Sequence, residues 1–126
     1  MKRIVLAIGA LIVAFALAFV GYFWVDNVCK ELETHLTEIC NVAQQDDIEN
    51  AIKKSQETIT VWEEVHDIIE SFIRHEETDN LEELIKSLPI YAKQGNLERL
   101  EQQADLAIDE LSHLIRNEKP LISNIF

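Results

Sequence analysis

IVLAIGALIVAFALAFVGYFWV, residues 4–25, runs directly into DNVCKELETHLTEICNVA, residues 26–43. Reading the two as one helix decides the fold. The first stretch holds twenty-two residues without a charge, after Lys2-Arg3 and before Asp26. A helix crosses the hydrocarbon core of a bilayer in ~20 apolar residues, so this run is long enough to span. Along both stretches a stripe recurs at steps of three and four: Ala7, Ala10, Ala14, Ala18, Gly21, Val25, Val28, Leu32, Leu36, Ile39, Ala43. Such steps hold side chains on one helical face. Within the apolar run the stripe consists of small residues, which let two helices approach closely in lipid. Beyond it the stripe turns aliphatic, as a water-excluding seam requires. The mean step is about 3.6 residues, the period of a straight helix rather than a strict supercoil.

A cleaved signal has an apolar core of about 7–15 residues and small residues at the cut. Ala14-Phe15-Ala16 and Ala16-Leu17-Ala18 supply such triplets, yet Phe19 to Val25 stays apolar beyond them. Cleavage there would leave that stretch exposed at a new end, so the run reads as an uncleaved signal anchor. Tyr22 and Trp24 stand where interfacial aromatics fix a spanning helix. Residues 1–25 therefore form a short stub and a transmembrane anchor, and residues 26–126 a second unit. Lys2 and Arg3 flank one end of the anchor. Lys30 stands alone among Asp26, Glu31 and Glu33 at the other. The flanking charge predicts a cytoplasmic N-terminus and an extracytoplasmic bulk at the cell membrane.

The chain carries a net charge of −12, from 11 basic and 23 acidic residues. Lys2 and Arg3 precede the anchor, so the remainder holds 9 basic residues against 23 acidic ones, or −14. A surface of this sign is repelled by nucleic acid and by anionic lipid. Its recurring Ile, Leu, Val, Phe and Trp argue for a packed core rather than disorder. About a hundred residues build one small core. Cys29 and Cys40 lie eleven residues apart. On one helix that is ~16 Å, too far for a mutual disulfide. The pairings left are with a second chain, Cys29 to Cys29 and Cys40 to Cys40, or none.

The remainder reads as helix throughout, without an alternating β-branched run. The fold class is all-α: an N-terminal transmembrane helix continuing into an antiparallel bundle of three to four helices. After a break at 44–47, Asp46 with Glu49 fits an N-cap. A second helix to His75 then presents Ile48, Ile52, Ile59, Trp62, Ile69, Phe72 and Ile73. Glu76-Glu77-Thr78-Asp79 reads as a break, with Asp79 and Glu82 capping a third helix through Leu81, Leu84, Ile85, Leu88 and Tyr91. Pro89 should kink or end it. Gly95-Asn96 joins a C-terminal glycine stop to an N-cap. The fourth helix uses Leu97, Leu100, Ala104, Ala107, Ile108, Leu111, Leu114 and Ile115, and should stop at Asn117 before Pro120.

Glu-x-x-His occurs twice, at Glu63–His66 and Glu110–His113. Di-iron bundles place this pair on two helices and single glutamates on the others, here Glu38 and Glu83. Helical phase opposes the match: His66 shares a face with Ile48, Ile59 and Ile73, whereas His113 points away from Leu97 and Ile115. His66 keeps an interest of its own, because Glu63 and Glu70 stand one turn to either side. Glu63, His66 and Glu70 form the weak alternative metal set. His75-Glu76-Glu77-Thr78-Asp79 lacks the second histidine of a zinc-protease motif. No nucleophilic triad or glycine-rich phosphate loop is legible. The expectation is no catalytic residue, no cofactor and no enzyme. Residues 120–126, Pro-Leu-Ile-Ser-Asn-Ile-Phe, are apolar enough to cover a groove of the bundle or, through Phe126, to be captured by a partner.

Trp62, the stretch Phe72-Ile73-Arg74-His75-Glu76-Glu77-Thr78-Asp79 and the end Pro120-Leu121-Ile122-Ser123-Asn124-Ile125-Phe126 resemble a bacterial family, the domain of unknown function numbered 4363. The resemblance covers nearly the whole chain. It implies a short single-pass membrane protein of Clostridia and related Gram-positive bacteria, with a helical remainder at the envelope, and it supplies no activity. The expected role is a non-enzymatic structural or protein-interaction module. Its contacts would be the stripe of Ala7, Ala10, Ala14, Ala18 and Gly21, together with Phe126. Its partners would be the membrane and either a second copy in a parallel homodimer or another membrane protein, not nucleic acid. The rival is a ligand- or metal-responsive sensor centred on His66.

Overall fold

The computed structural model describes residues 1–72 and 75–125, with side-chain surroundings for 1–71 and 76–114. Four helices follow in order: α1 Lys2–Gln44, α2 Ile48–Phe72, α3 His75–Lys93 and α4 Leu97–Ile125. Each packs on its sequence neighbours, and α4 closes the ring on α1. This is an up-down-up-down bundle, with α1 as one of its four members.

The core is a stack of heptad seams. The most deeply buried residues are Cys29, Leu32, Leu36, Ile39 and Ala43 on α1; Ala51, Ser55, Thr58, Trp62, Val65 and Ile69 on α2; Thr78, Leu81, Ile85, Leu88 and Ala92 on α3; and Leu100, Ala104, Ala107, Leu111 and Leu114 on α4. Every seam steps by three and four, the 3.5-residue period of a left-handed supercoil. That corrects the straight-helix period read for α1: Cys29 lies in the seam itself, with Val28 also buried beside it. Each buried Leu or Ile contributes about 1.5–3 kcal/mol relative to exposure.

The face expected on α2 is corrected too. Ile48 is 46% exposed, and Ile52 and Ile59 only flank the core. The helix instead turns Ala51, Ser55 and Thr58 inward. Opposite bulky leucines a bundle seam takes small residues, so local hydrophobicity misjudges its phase. The two hydroxyls are satisfied within α2, Ser55 Oγ donating to Ala51 O at 2.7 Å and Thr58 Oγ1 to Lys54 O at 2.8 Å. Phe72, Ile73 and Ile115 lie outside the described side chains.

Two short loops share one design. In the first, the Asp47 N–H donates to Val42 O at 3.1 Å and the Asp46 N–H to Ala43 O at 3.2 Å, with Asp46 at φ 56°. In the second, the Asn96 N–H donates to Tyr91 O at 3.0 Å and the Gly95 N–H to Ala92 O at 3.0 Å, with Gly95 at φ 71°. Both are Schellman endings, closed by a left-handed residue. The residue after it then caps the next helix: Asp47 Oδ1 accepts the Asn50 N–H, and Asn96 Oδ1 the Arg99 N–H, each at 3.2 Å. The cap of α2 is thus Asp47, because Asp46 is spent on the stop of α1. A Cβ at Gly95 would sit 3.8 Å from Ile48 Cδ1, so the loops are neighbours.

Three further expectations are revised. α3 starts at His75, and the supposed break at 76–79 lies inside it, with Thr78 buried in register with Leu81. Pro89 sits within α3 without ending it, since Leu88 and Ala92 on either side of it are fully buried. α4 continues past Asn117 to Ile125.

Candidate functional site

Along α1 the surroundings change abruptly. Residues 1–20 are all exposed, among them Leu6, Leu11, Leu17 and Phe19. The helix is long and apolar enough to cross a membrane, and none of its apolar window is covered by the chain itself. An apolar surface this continuous is not stable in water and marks a contact with lipid or protein. Ala7, Ala10, Ala14 and Ala18 are exposed on it, and Gly21 is half-covered. Aromatic rings gather at its end: Phe19 and Phe23 lie 5.2 Å apart and Tyr22 and Phe23 6.1 Å apart, with Trp24 39% exposed. From Val28 onward the same helix is buried by its own chain.

Polar ties join each adjacent helix pair. Lys54 Nζ pairs with Glu38 at 3.0 Å between α1 and α2, and with Glu57 at 3.6 Å. The hydrogen bond and charge of Glu38 hold the Lys54 pKa above its ordinary value. Trp62 Nε1 donates to Glu82 at 3.4 Å between α2 and α3. The Arg99 guanidinium lies 5.8 Å from the Tyr91 ring centre between α3 and α4. Gln44 Nε2 donates to Glu101 at 2.8 Å between α1 and α4.

The cysteines also belong to this interior. Both are thiols. Cys29 is fully buried, and Cys40 nearly so. Cys40 Sγ donates to Asp105 Oδ1 at 3.4 Å. Burial, then the Asp105 carboxylate, push its pKa up to about 12. A thiol held protonated is a poor nucleophile. The sites expected to meet a second chain are therefore turned into this one, and an intermolecular disulfide through Cys29 or Cys40 requires the bundle to open. The aliphatic stripe from Val28 to Ala43 is occupied in the same way by α2 and α4.

The side chains around His66 are not the expected set. His66 Nε2 lies 3.0 Å from Asp67 Oδ1, and Nδ1 lies 3.1 Å from the Glu63 carbonyl oxygen. One donor atom each from His66, Asp67 and Glu70 falls within 4.8 Å of the others. Glu63 of the expected set contributes its backbone, and Asp67 takes its place. Asp67 was not legible because adjacent residues do not face each other on a helix; its side chain, 82% exposed, reaches back around the surface. The imidazole stands at the edge of the seam rather than its centre, 6.2 Å from the Trp62 ring. Three donors on one helix can hold a divalent cation at the surface, with water completing the shell. The four-helix di-iron set does not assemble: His113 and Glu83 are exposed, and Glu38 is engaged with Lys54. Phe126 lies outside the described residues.

No curated protein and no solved structure matches the chain. A family model matches residues 19–125, which takes in the end of the apolar run and the entire bundle. The resemblance carried by Trp62 and by residues 72–79 and 120–126 thus holds over most of the sequence, and the chain belongs to the family described as Domain of unknown function (DUF4363).

Proposed function

We propose that this protein is a single-pass, membrane-anchored interaction module of the bacterial cell envelope, with its N-terminus in the cytoplasm and its acidic bundle outside, and that it acts by binding rather than by catalysis. The observation that supports this reading is the split character of α1: exposed and apolar over residues 1–20, buried over the bundle. A Gram-positive setting follows from the family resemblance. The stripe Ala7, Ala10, Ala14, Ala18 and Gly21 is the surface offered to a second membrane helix, from another copy in parallel or from a different protein. The test is crosslinking of the full-length protein in intact membranes, followed by capture and identification. The module reading expects one reproducible crosslinked species that is lost on Ala14→Ile with Ala18→Ile. Monomer alone at every crosslinker length overturns it.

The second reading, a cation-responsive sensor, is favoured by one observation, the convergence of His66, Asp67 and Glu70. Titration of the purified protein with zinc, manganese and calcium, read by thermal unfolding, separates it from the first. A rise in Tm lost in His66→Ala supports it, and an unchanged Tm removes it.

A further inference from the structure

Among the described side chains the last core residue of α4 is Leu114, and the helix continues to Ile125. The depth it reaches follows from its ties to α1. Gln44 meets Glu101 and Cys40 meets Asp105, so each step down α1 matches one step along the antiparallel α4. Both helices rise ~1.5 Å per residue, which sets residue 120 level with about residue 25 and residue 125 with about residue 20.

The two sequences change character at this same level. On α1 the charged and polar residues end at Asp26, and Val25 begins the apolar run. On α4, Arg116, Asn117, Glu118 and Lys119 give way to Pro120, Leu121 and Ile122. The registers were fixed by side chains near the far end of the bundle, so the coincidence of the boundaries is an independent observation. At this depth α1 is partly covered on one side: Gly21, Tyr22, Val25 and Asp26 are half-buried, whereas Phe23 and Trp24 are exposed. Arg116 and Lys119 add two cations just above the boundary in an otherwise acidic unit, where lipid phosphates would lie.

We propose that residues 120–125 of α4 enter the outer lipid layer beside α1, so that the bundle is held to the bilayer at two points. This rests on the membrane-anchor reading of α1. The occupant of the apolar end of α4 is then lipid, by continuity with the apolar run of α1, rather than a groove of the bundle or a soluble partner.

Spin labelling of the full chain in phosphatidylglycerol–phosphatidylethanolamine vesicles tests this. Labels are placed singly by Ile122→Cys, Ile125→Cys, Phe19→Cys and Asp109→Cys. The parent chain, with its two buried thiols, is the blank. Power saturation compares accessibility to oxygen, which partitions into lipid, with that to a nickel chelate, which stays in water. Residues 122 and 125 should give an oxygen-to-nickel ratio several-fold above that of residue 109 and close to that of residue 19. If residue 19 reads as lipid while 122 and 125 read as water, the second contact is absent. If 122 and 125 are closed to both probes, they are packed in protein, and the proposal is again overturned. If residue 19 itself reads as water, the anchor reading falls and takes this one with it. The two labelled positions in α4 keep the result independent of one substitution, with helical circular dichroism checking each fold.

Discussion

The two halves of α1 share one unbroken backbone and differ in what surrounds them. From Lys2 to Val20 the side chains are exposed; from Val28 to Ala43 the same 3–4 spacing is buried by α2 and α4. The spacing alone therefore does not tell a seam that is filled by its own chain from one that waits for lipid or another helix. Composition does. Alanines carry the stripe over the exposed residues 1–20, and mainly leucine and isoleucine carry it where the chain closes on itself.

Substitutions that act on one half alone test that contrast. The largest effect is expected from Trp62→Ala, which empties the bulkiest fully buried position of the bundle. It should cost about 3–5 kcal/mol in denaturant unfolding. Leu36→Ala should cost about 2–5 kcal/mol, whereas Leu11→Ala, in the exposed half, should leave the bundle's unfolding midpoint unchanged. An equal loss in both would show that the halves are not independent. Val13→Arg works the other way. On the proposed topology it opposes insertion by about 2.5–3.5 kcal/mol, read as a shift of protein from membrane to soluble fractions, with the bundle's helical signal retained.

A smaller effect concerns the loop that ends the bundle half. Asp46 holds the left-handed conformation that Gly95 holds in the sister loop. Asp46→Gly should raise stability by up to about 1 kcal/mol, and Gly95→Ala should lower it by a similar amount, both measured by chemical unfolding. The smallest effect is on Cys40. Its thiol remains protonated well above the ordinary range near 9, so iodoacetamide labelling of the folded chain should stay slow and nearly flat from pH 7 to 9. Labelling in denaturant should climb steeply over the same interval.

Much of this was legible in the residues. Val28, Leu32, Leu36, Ile39 and Ala43 stand out because the α1 seam is strongly apolar on a charged background. The Gly95-Asn96 boundary is legible because glycine and asparagine each have one preferred place there. α2 misleads because its isoleucines are more apolar than the Ala51, Ser55 and Thr58 it buries. The start of α3 was hidden by Asp79 and Glu82, which imitate a capping pair inside a continuing helix. At the His66 cluster, sequence spacing singles out Glu63 and Glu70, whereas the structure sets Asp67 and Glu70 beside the imidazole. Side-chain reach along a surface is not encoded in periodicity.

Between Tyr22 and Gln44 the sequence of α1 contains no glycine or proline, and the helix is continuous across that stretch. In mechanical terms it is a rod clamped along one half by two neighbours, α2 and α4. A rod without a hinge does not absorb rotation. Whatever grips the apolar half and turns it applies the same turn to Leu32, Leu36 and Ile39, which meet the packed layers of α2 and α4. The bundle therefore resists twisting of the apolar half, and a partner that succeeds in turning it must change the packing of the core.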